Sequence, residues 1–475
     1  MFLEWLQNAV ATINSYLADY ILLILLVGVG LFFTIRTKFV QVRCLGQGFK
    51  NVFGGMKKGK DGKGGMSSFQ AFATAVAAQV GTGNIVGACG AILLGGPGAI
   101  FWMWIIAFLG MATIYSEAVL AQKTRKVNED GSVSGGPVYY IKQAFKGKFG
   151  KFLAGFFAVA TFVCLGFIGS MVQSNAISNA VASAAGYDYT VWGWIVGVIV
   201  AVLAGVIIIG GVKRIASVTE KLVPIMALIY LVGGLIILAI NITAVPTAFW
   251  YILKFAFTPN AIIGGSIGAA LKIAISQGAK RGLFSNEAGM GSTPHAHAQA
   301  NVKNPHQQGT TAMVGVFFDT FVVLTMTALI VVTCLYVKNP DVVSQVNKNN
   351  AVQVSIASVF SNADVGVVIG GVFVAVCLAF FAFSTIISWN FFGRINFEYL
   401  FGKKSSIIYS ILSLVFVFLG SMLYSDLVWE LTDFVNYLMV FPNVLALFAL
   451  SGLVVKEVKT NGKKSVEKTP HEILK

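Results

Sequence analysis

Charged residues are scarce in this chain of 475 residues. Asp, Glu, Lys and Arg make up only 11% of it, whereas an ordinary soluble domain carries about 25%. Apolar residues reach 56% and the mean hydropathy is +0.79, so too few charges remain to coat a water-soluble surface. The same hydrophobicity excludes intrinsic disorder. The composition therefore predicts a membrane protein.

Cysteine and proline are also rare, with 5 and 10 residues. The cysteines are odd in number and widely spaced, which argues against a disulfide framework or a metal motif. No Lys or Arg precedes Arg36, so we expect no secretory signal, which would begin with basic residues. Glycine, by contrast, occupies 51 positions, as is typical of closely packed membrane helices.

Stretches of about 20 mostly apolar residues mark candidate membrane spans. Eleven such stretches occur, at roughly 17–35, 68–94, 98–121, 152–184, 190–210, 221–241, 261–278, 311–337, 366–393, 406–424 and 428–455. If these spans alternate in direction, thirty of the 34 basic residues fall on one side. Cytoplasmic loops are enriched in Lys and Arg, so we expect the N-terminus outside and the C-terminus in the cytoplasm. The net charge of +15 is then an orientation signal, and no nucleic-acid partner is expected.

Two spans contain polar, glycine-containing interruptions. The second holds Ala77-Ala78-Gln79-Val80-Gly81-Thr82-Gly83-Asn84, and the seventh holds Ile275-Ser276-Gln277-Gly278-Ala279-Lys280-Arg281-Gly282. Counted from the second span, they open two blocks of five spans, and an odd number of spans inverts the second block. Broken helices at matching positions of inverted repeats indicate the substrate site of a secondary transporter. We therefore divide the chain into an extra span with a basic loop (1–66), two five-helix repeats (67–241 and 242–455) and a tail (456–475).

An interruption is costly in hydrocarbon, because each unpaired backbone N–H or C=O costs several kcal/mol. A ligand can offset that cost. The N–H groups at a half-helix N-terminus favour a carboxylate, and free carbonyls suit a hard cation such as sodium. A small zwitterion with one cation meets both needs. The alternatives are that the glycines only permit tight packing and that Lys280 and Arg281 simply end the seventh helix.

Five short blocks follow one another between about residues 67 and 300. They are Val80–Ile85, Gly95–Ala99, Glu117, Gly135–Tyr140, and Ser285–Gly291 with Pro294–His297. In this order they resemble the alanine/glycine:cation symporter family. The resemblance implies an all-α polytopic membrane protein with the leucine-transporter-like fold of the APC superfamily, in which a 5+5 inverted repeat and one extra N-terminal span give 11 transmembrane helices. It also implies sodium-coupled uptake of alanine or glycine in a prokaryotic plasma membrane, with no enzymatic activity and no cofactor besides the sodium ion.

The predicted substrate site draws on the second, fourth, seventh and ninth spans. The N–H groups of Thr82 and Gly83 would bind the carboxylate, and carbonyls of the seventh span would accept from the ammonium group. The site comprises Gln79, Thr82, Gly83, Asn84, Phe167, Gln173, Ile275, Ser276, Gln277, Gly278 and Trp389, of which Trp389 would limit the size of the substrate. For Phe167 and Trp389 interior packing is the alternative, and for Gln173 a structural hydrogen bond between helices.

The predicted sodium site follows from similarity to the leucine-transporter fold. In it the hydroxyls of Ser384 and Thr385 join the carbonyls of Ala77, Val80 and Phe381 as five oxygen ligands. Hydroxyls in membrane helices commonly donate to a carbonyl of the preceding turn instead, and that is the alternative.

Proton coupling is the alternative mechanism, with Asp319 in the eighth span or Glu117 near the cytoplasmic end of the third as carrier. Either carboxylate could instead form a structural pair, and Glu117 could reach bases in a loop. Lys272 could extend into the outer vestibule. An ion channel, a different class of protein, would need a continuous polar lining. The expected partners are a small neutral amino acid, sodium and the lipid bilayer, with the chain as a monomer.

Overall fold

The computed structural model describes residues 2–57, 65–129, 131–187, 189–258, 267–423 and 426–462. Within these ranges the chain consists of helices, four strands of two residues each and connecting loops. The dominance of helices follows from the membrane. A helix satisfies all of its interior backbone hydrogen bonds within one segment, which hydrocarbon requires.

The elements are numbered here in chain order. The first half contains α1 (Glu4–Arg36), α2 (Val40–Arg43), α3 (Leu45–Lys57), β1 (Met66–Ser67), α4 (Ser68–Gln79), α5 (Gly83–Gly95), α6 (Ala99–Thr124), β2 (Lys126–Val127), β3 (Val133–Ser134), α7 (Pro137–Ala144), α8 (Gly147–Ala185), α9 (Tyr189–Ile209) and α10 (Gly211–Ile240). The second half contains α11 (Val245–Phe257), α12 (Ile267–Asn286), α13 (Pro294–Gln299), β4 (Ala300–Asn301), α14 (Pro305–Val337), α15 (Ala351–Ala357), α16 (Ala363–Phe401), α17 (Ser406–Met422), α18 (Asp426–Ala449) and α19 (Ser451–Asn461).

Nine of the described helices are long and apolar enough to cross a bilayer. The pair α4 and α5 meets the same criterion as one segment bent by 47°, which makes ten. These ten coincide with ten of the eleven predicted spans. The predicted seventh span, 261–278, begins outside the described residues, and its described part belongs to α12, which is not among the nine.

Glycines allow the helices to pack closely. A Cβ added to Gly420 of α17 would lie 2.4 Å from the Cα of Met171 in α8. At Gly30 of α1 an added Cβ would lie 2.7 Å from the Cβ of Leu109 in α6. The extra N-terminal helix is thus packed directly against the bundle.

Side chains on the outside of the bundle remain apolar and exposed, as contact with lipid requires.

The two short sheets lie next to the ends of transmembrane helices. β1 pairs in parallel with β4, Met66 with Ala300 and Ser67 with Asn301. Since α4 follows β1 directly and β4 follows α13 directly, a backbone bridge ties the start of the first bent segment to the end of α13. The side-chain amide of Gln122 in α6 strengthens this bridge by donating to the carbonyl of Ala300 at 3.0 Å.

We predict that Gly420→Ala destabilises the protein, because its Cβ would meet the backbone of Met171, which has no freedom to move aside. Overpacking of this kind costs roughly 1–3 kcal/mol. Gly28→Ala in α1, where nothing lies within 4 Å of an added Cβ, is the matched control and should be neutral or slightly stabilising. Thermal unfolding of the purified variants in detergent measures both. Equal unfolding temperatures would contradict the packing described here.

Candidate functional site

The first interruption separates α4 from α5 and consists of Val80, Gly81 and Thr82. Val80 has φ −80° and ψ 89°, outside the helical region, and all three residues are buried. The N–H of Gly81 donates to the side-chain oxygen of Asn84 at 3.0 Å. The N–H of Thr82 donates to the side-chain oxygen of Gln173 in α8 at 3.2 Å. Two donors released by the break are therefore held by neutral amide oxygens.

The glycines of this break let two other helices come close. An added Cβ at Gly81 would lie 2.5 Å from the hydroxyl of Thr385 in α16. At Gly83 it would lie 3.1 Å from both the ring of Phe284 and the Cα of Ser285, at the end of α12. The interruption thus sits where α8, α12 and α16 converge.

The predicted break at Ile275–Gly278 is wrong. α12 runs without interruption from Ile267 to Asn286, so these carbonyls belong to a regular helix. The alternative that Lys280 and Arg281 end the helix is also wrong, because both lie within α12 and have acidic partners. Lys280 pairs with Asp19 of α1 at 3.3 Å, and Arg281 pairs with Asp433 of α18 at 3.2 Å.

The residues at the misplaced break have other contacts. Ser276 donates to Asp19, and Lys272 also reaches this carboxylate at 3.6 Å. Gly278 packs against Trp102 of α6. A Cβ added to Gly278 would lie 2.6 Å from the Cβ of Trp102. The face of α12 that carries Ser276 therefore contacts the extra N-terminal helix.

The second interruption lies further along, between Asn286 and the start of α13 at Pro294. The backbone is left-handed at Glu287, Gly289 and Gly291, with φ values of 58°, 91° and 81°. This conformation favours glycine, and two of the three residues are glycines. Glu287 is fully buried, and its carboxylate accepts hydrogen bonds from the indole N–H of Trp389 at 2.5 Å and from the hydroxyl of Ser292.

Glu117 of α6 holds this second interruption. Its carboxylate accepts from the N–H of Gly289 at 3.3 Å, the N–H of Gly291 at 3.1 Å and the side-chain amide of Asn443 in α18 at 2.6 Å. The side chain is fully buried. The alternative that Glu117 reaches bases in a loop is therefore wrong, because the carboxylate is bonded to N–H groups of the break and to Asn443.

The two interruptions are linked through side chains. Gln79, the last residue of α4, donates to the carbonyl of Asn286 at 2.7 Å. Asn84 of α5 donates to a carboxylate oxygen of Asp319 in α14 at 2.6 Å, and Ser285 of α12 donates to the same carboxylate at 2.9 Å. The end of the first break and the end of α12 thus meet at one carboxylate.

A cluster of oxygens lies on the other side of the first break. The hydroxyl of Ser384 lies 3.2 Å from the carbonyl oxygen of Ala77 and 2.9 Å from that of Phe381. The hydroxyl of Thr385 lies 3.0 Å from each of these two carbonyl oxygens. Four of the five predicted sodium ligands are therefore together, and the fifth, Val80, is the first residue of the break itself. The contacts to Phe381 are also those of the alternative, in which each hydroxyl donates to a carbonyl of the preceding turn of its own helix.

Trp389 lies beside the second break and Gln173 beside the first. The indole of Trp389 packs on Gly169 of α8, whose added Cβ would lie 2.6 Å from the ring. Phe167, in contrast, does not point toward a break. Its ring stacks on Phe416 with centroids 4.8 Å apart, so the packing alternative holds for this residue.

Three residues of this region were missed as candidate site residues: Ser285, Glu287 and Asn443. Ser285 and Glu287 lie in the glycine-containing segment Ser285–Gly291, which carries a carboxylate in an apolar context. That pattern is the signal by which the second break is recognisable. Asn443 had no comparable signal, because its role depends on the packing of α18 against α6.

Comparison with solved structures gives the fold. The structure of MhsT in complex with L-phenylalanine has a TM-score of 0.60 and covers 84% of this chain and 97% of that chain. The sequence identity is 15%, so the likeness concerns the fold alone. The chain has the leucine-transporter fold, as expected.

Sequence comparison gives the family. The model of the sodium:alanine symporter family matches residues 3–473, and the chain belongs to this family. Sodium/alanine symporter AgcS of Methanococcus maripaludis is 41% identical over 454 residues, which are 95% of this chain and 96% of AgcS. Amino-acid carrier protein AlsT of Bacillus subtilis is 38% identical over 465 residues, 97% of this chain and 93% of AlsT. The expected family is confirmed, and the protein is a transporter rather than an enzyme.

We predict that Glu117→Ala destabilises the protein strongly, since two backbone N–H groups and the Asn443 amide would lose a buried acceptor. Each such loss costs about 1–3 kcal/mol. Glu117→Gln keeps one acceptor oxygen and should be intermediate. Glu398→Ala, which removes only a half-exposed pair with Arg394, is the control and should have little effect. Unfolding of Glu117→Ala at the wild-type temperature would contradict the assignment.

Proposed function

We propose that this protein is a sodium-coupled symporter that takes up small neutral amino acids, alanine or glycine, by alternating access. Membership of the sodium:alanine symporter family supports cation-coupled alanine transport. The observation that carries the finer proposal is the oxygen cluster at Ser384 and Thr385, because it adjoins a helix interruption within the bundle.

Sodium suits this cluster chemically. It is a hard cation that prefers oxygen ligands, and the cluster offers two hydroxyls and two carbonyls without any nitrogen or sulfur among the four. In the proposed site the ion draws these oxygens and the carbonyl of Val80 around itself. The hydroxyls already contact carbonyls of both α4 and α16, so binding would fix one helix relative to the other.

The substrate is proposed to lie between the two interruptions. Its carboxylate would take the N–H groups of Thr82 and Gly83, displacing the oxygen of Gln173 that now accepts from Thr82. Gln79 and Asn84 line the break on either side, and the last carbonyls of α12 take the place proposed earlier for Ile275–Gly278 as acceptors for the ammonium group. Trp389 closes the space next to α8 and would limit the side chain to that of alanine.

In alternating access one bundle of helices would rock against a scaffold of the remaining helices around this fixed site. We place the N-terminus outside and the C-terminus in the cytoplasm of a prokaryotic plasma membrane, in keeping with the basic loops.

The test is uptake of labelled alanine and glycine into proteoliposomes, with an inward gradient of sodium, potassium or choline. Sodium should drive accumulation above equilibrium and the other cations should not. Thr385→Ala should raise the sodium concentration for half-maximal uptake by about tenfold, the equivalent of one good ligand contact of 1.4 kcal/mol. Thr161→Ala, whose hydroxyl contacts only its own helix, is the control. Equal accumulation with all three cations would contradict sodium coupling.

We further predict that Gly83→Val abolishes alanine binding while the protein still folds. The added side chain would occupy the path by which the substrate carboxylate reaches the N–H groups. It would also press on Phe284 and Ser285, because a Cβ at position 83 would lie only 3.1 Å from each of them. Gly155→Val in α8, where nothing lies within 4 Å, is the control. Binding is measured by isothermal titration in detergent, and folding by size-exclusion elution. Wild-type affinity in Gly83→Val would show that the substrate binds elsewhere.

A further inference from the structure

A cavity of about 490 Å³ opens at the end of the bundle where α16 finishes. It is enclosed by the β2–β3 hairpin, the starts of α7 and α10, the end of α13 and the last turns of α16. In the proposed orientation this is the cytoplasmic end. Sites for small molecules measure about 300–1,000 Å³, whereas a single water occupies roughly 30 Å³. The cavity is therefore large enough for an organic solute.

An ion pair between Arg394 and Glu398 of α16 forms part of the cavity wall. The Nε atom of Arg394 donates to Oε1 of Glu398 at 2.7 Å, across one turn of the helix. Within the described part of the chain neither side chain has another hydrogen-bond partner, so the two terminal nitrogens of Arg394 and Oε2 of Glu398 remain available. About a quarter of each side chain is exposed, 25% and 24%. The pair thus offers donors and an acceptor side by side to a solute in the cavity.

The rest of the lining is largely apolar and aromatic. Phe391, Ile395 and Tyr399 lie on the same face of α16 as the ion pair, with the spacing of three and four residues that defines one helix face. Val212 of α10 and Tyr139 of α7 complete this part of the wall, and the ring of Tyr139 meets that of Tyr399 edge-on with centroids 6.3 Å apart. A charged corner beside an apolar wall fits an organic ion with an apolar side chain.

A zwitterion matches the ion pair better than a single charge does. An α-carboxylate can accept from the terminal nitrogens of Arg394, and an α-ammonium group can donate to Oε2 of Glu398. The two charged groups of an amino acid are attached to one carbon, so they are close together, as the two partners of the pair are. The four charges then alternate in sign. An anion alone would meet the carboxylate of Glu398, and a cation alone would meet the guanidinium of Arg394.

We propose that this cavity is a second amino-acid site, an effector site on the cytoplasmic side that binds a zwitterion with an apolar side chain. It is separate from the proposed transport site, because Arg394 lies five residues beyond Trp389, roughly 7–8 Å along the helix. Trp389 would limit the transported side chain to that of alanine, whereas the cavity admits larger ones such as that of leucine. The expected effect on uptake rests on the proposed function, but binding to the cavity does not.

An occupant of the cavity should slow uptake, because helices next to the second interruption form its wall. α13 begins just after that interruption and contributes Gln299, and α16 carries Trp389, which donates to Glu287. Nδ2 of Asn396 in α16 and Nε2 of His295 in α13 lie 2.8 Å apart, so the two helices are in contact. A ligand favours the arrangement of helices to which it binds. An amino acid entering from the cytoplasm would therefore hold the transporter in this arrangement.

Binding of leucine to the purified full-length protein in detergent tests the site itself. The titration is followed by saturation-transfer difference NMR in choline buffer without sodium, so that the proposed sodium-dependent site does not contribute. We expect a Kd on the order of 1 mM, because water competes for a partly exposed ion pair. Isocaproate, which lacks the ammonium group of leucine, and isopentylamine, which lacks its carboxylate, should both bind about tenfold more weakly or worse.

Four variants locate the binding. Arg394→Gln and Glu398→Gln each remove one charge and should weaken leucine binding about tenfold or more. Val212→Trp leaves the ion pair intact but fills the cavity, and it should also abolish binding, which guards against a folding defect in the other two variants. Lys404→Gln, which removes an exposed basic residue just outside the lining, is the matched control and should bind leucine as wild type does.

The effect on transport is measured as initial alanine uptake, driven by sodium, into right-side-out proteoliposomes loaded with leucine. At an internal concentration ten times the measured Kd, about nine-tenths of the sites are occupied, so the rate should fall about tenfold in wild type and in Lys404→Gln. In Arg394→Gln internal leucine should have little effect. The same concentration of leucine outside should not reproduce the inhibition.

The outcomes separate the effector site from the proposed function. Absence of saturable leucine binding to wild type, or equal binding to wild type and both Gln variants, would overturn the site. Internal leucine that leaves wild-type uptake unchanged would overturn its effect on transport. Alanine uptake that ignores sodium would instead overturn the proposed function, since the titration in choline reports on the cavity directly.

Discussion

The fold depends on one constraint, that backbone groups released by an interrupted helix must find partners in a medium without water. Each unpaired group would cost several kcal/mol. The protein satisfies them with side chains, one from the broken segment itself and the others from neighbouring helices. Gln173 and Asn84 accept from the first interruption, and Glu117 accepts from the second. The helices that supply these acceptors are thereby fixed around the two breaks.

This constraint explains which features the sequence alone could predict. The first break was predictable because Gly81 and Gly83 flank a polar residue within an apolar stretch, a local pattern. Ten of the spans were predictable for the same reason, since hydropathy is local. The family resemblance extended the prediction to the whole fold. Two of its motifs, Val80–Ile85 and Ser285–Gly291, coincide with the two breaks.

The second break was misplaced because its prediction needed partners distant in sequence. Lys280 and Arg281 look like the end of a helix until Asp19 and Asp433 are seen beside them. Lys280 and Arg281, which the sequence places in a cytoplasmic loop, therefore lie within α12. The carbonyls of Ile275–Gly278 belong to the same regular helix and are not free to accept from a substrate. Phe167 failed similarly, since its helical spacing with Gln173 says nothing about the aromatic ring of Phe416 that it meets.

The low charge content of the spans suggested that the important polar groups are uncharged. Three of them are carboxylates. Glu117, Glu287 and Asp319 are fully buried, and they differ in what they hold. Glu117 accepts backbone N–H groups and Glu287 accepts the indole of Trp389, so both have structural partners. The carboxylate of Asp319 accepts from the side chains of Asn84, Ser285 and Thr320.

Coupling between the proposed ion and substrate then needs no long pathway. The oxygens at Thr385 and the N–H groups of Thr82 and Gly83 border the same few residues of unwound backbone. A ligand that orders these residues lowers the cost of ordering them for the next ligand, and by linkage the effect is mutual, typically 1–3 kcal/mol. A continuous helix would lack this property, because its backbone is ordered whether or not a ligand is present. In the proposed mechanism the interruption is therefore both the binding surface and the element through which binding of one species changes the affinity for the other.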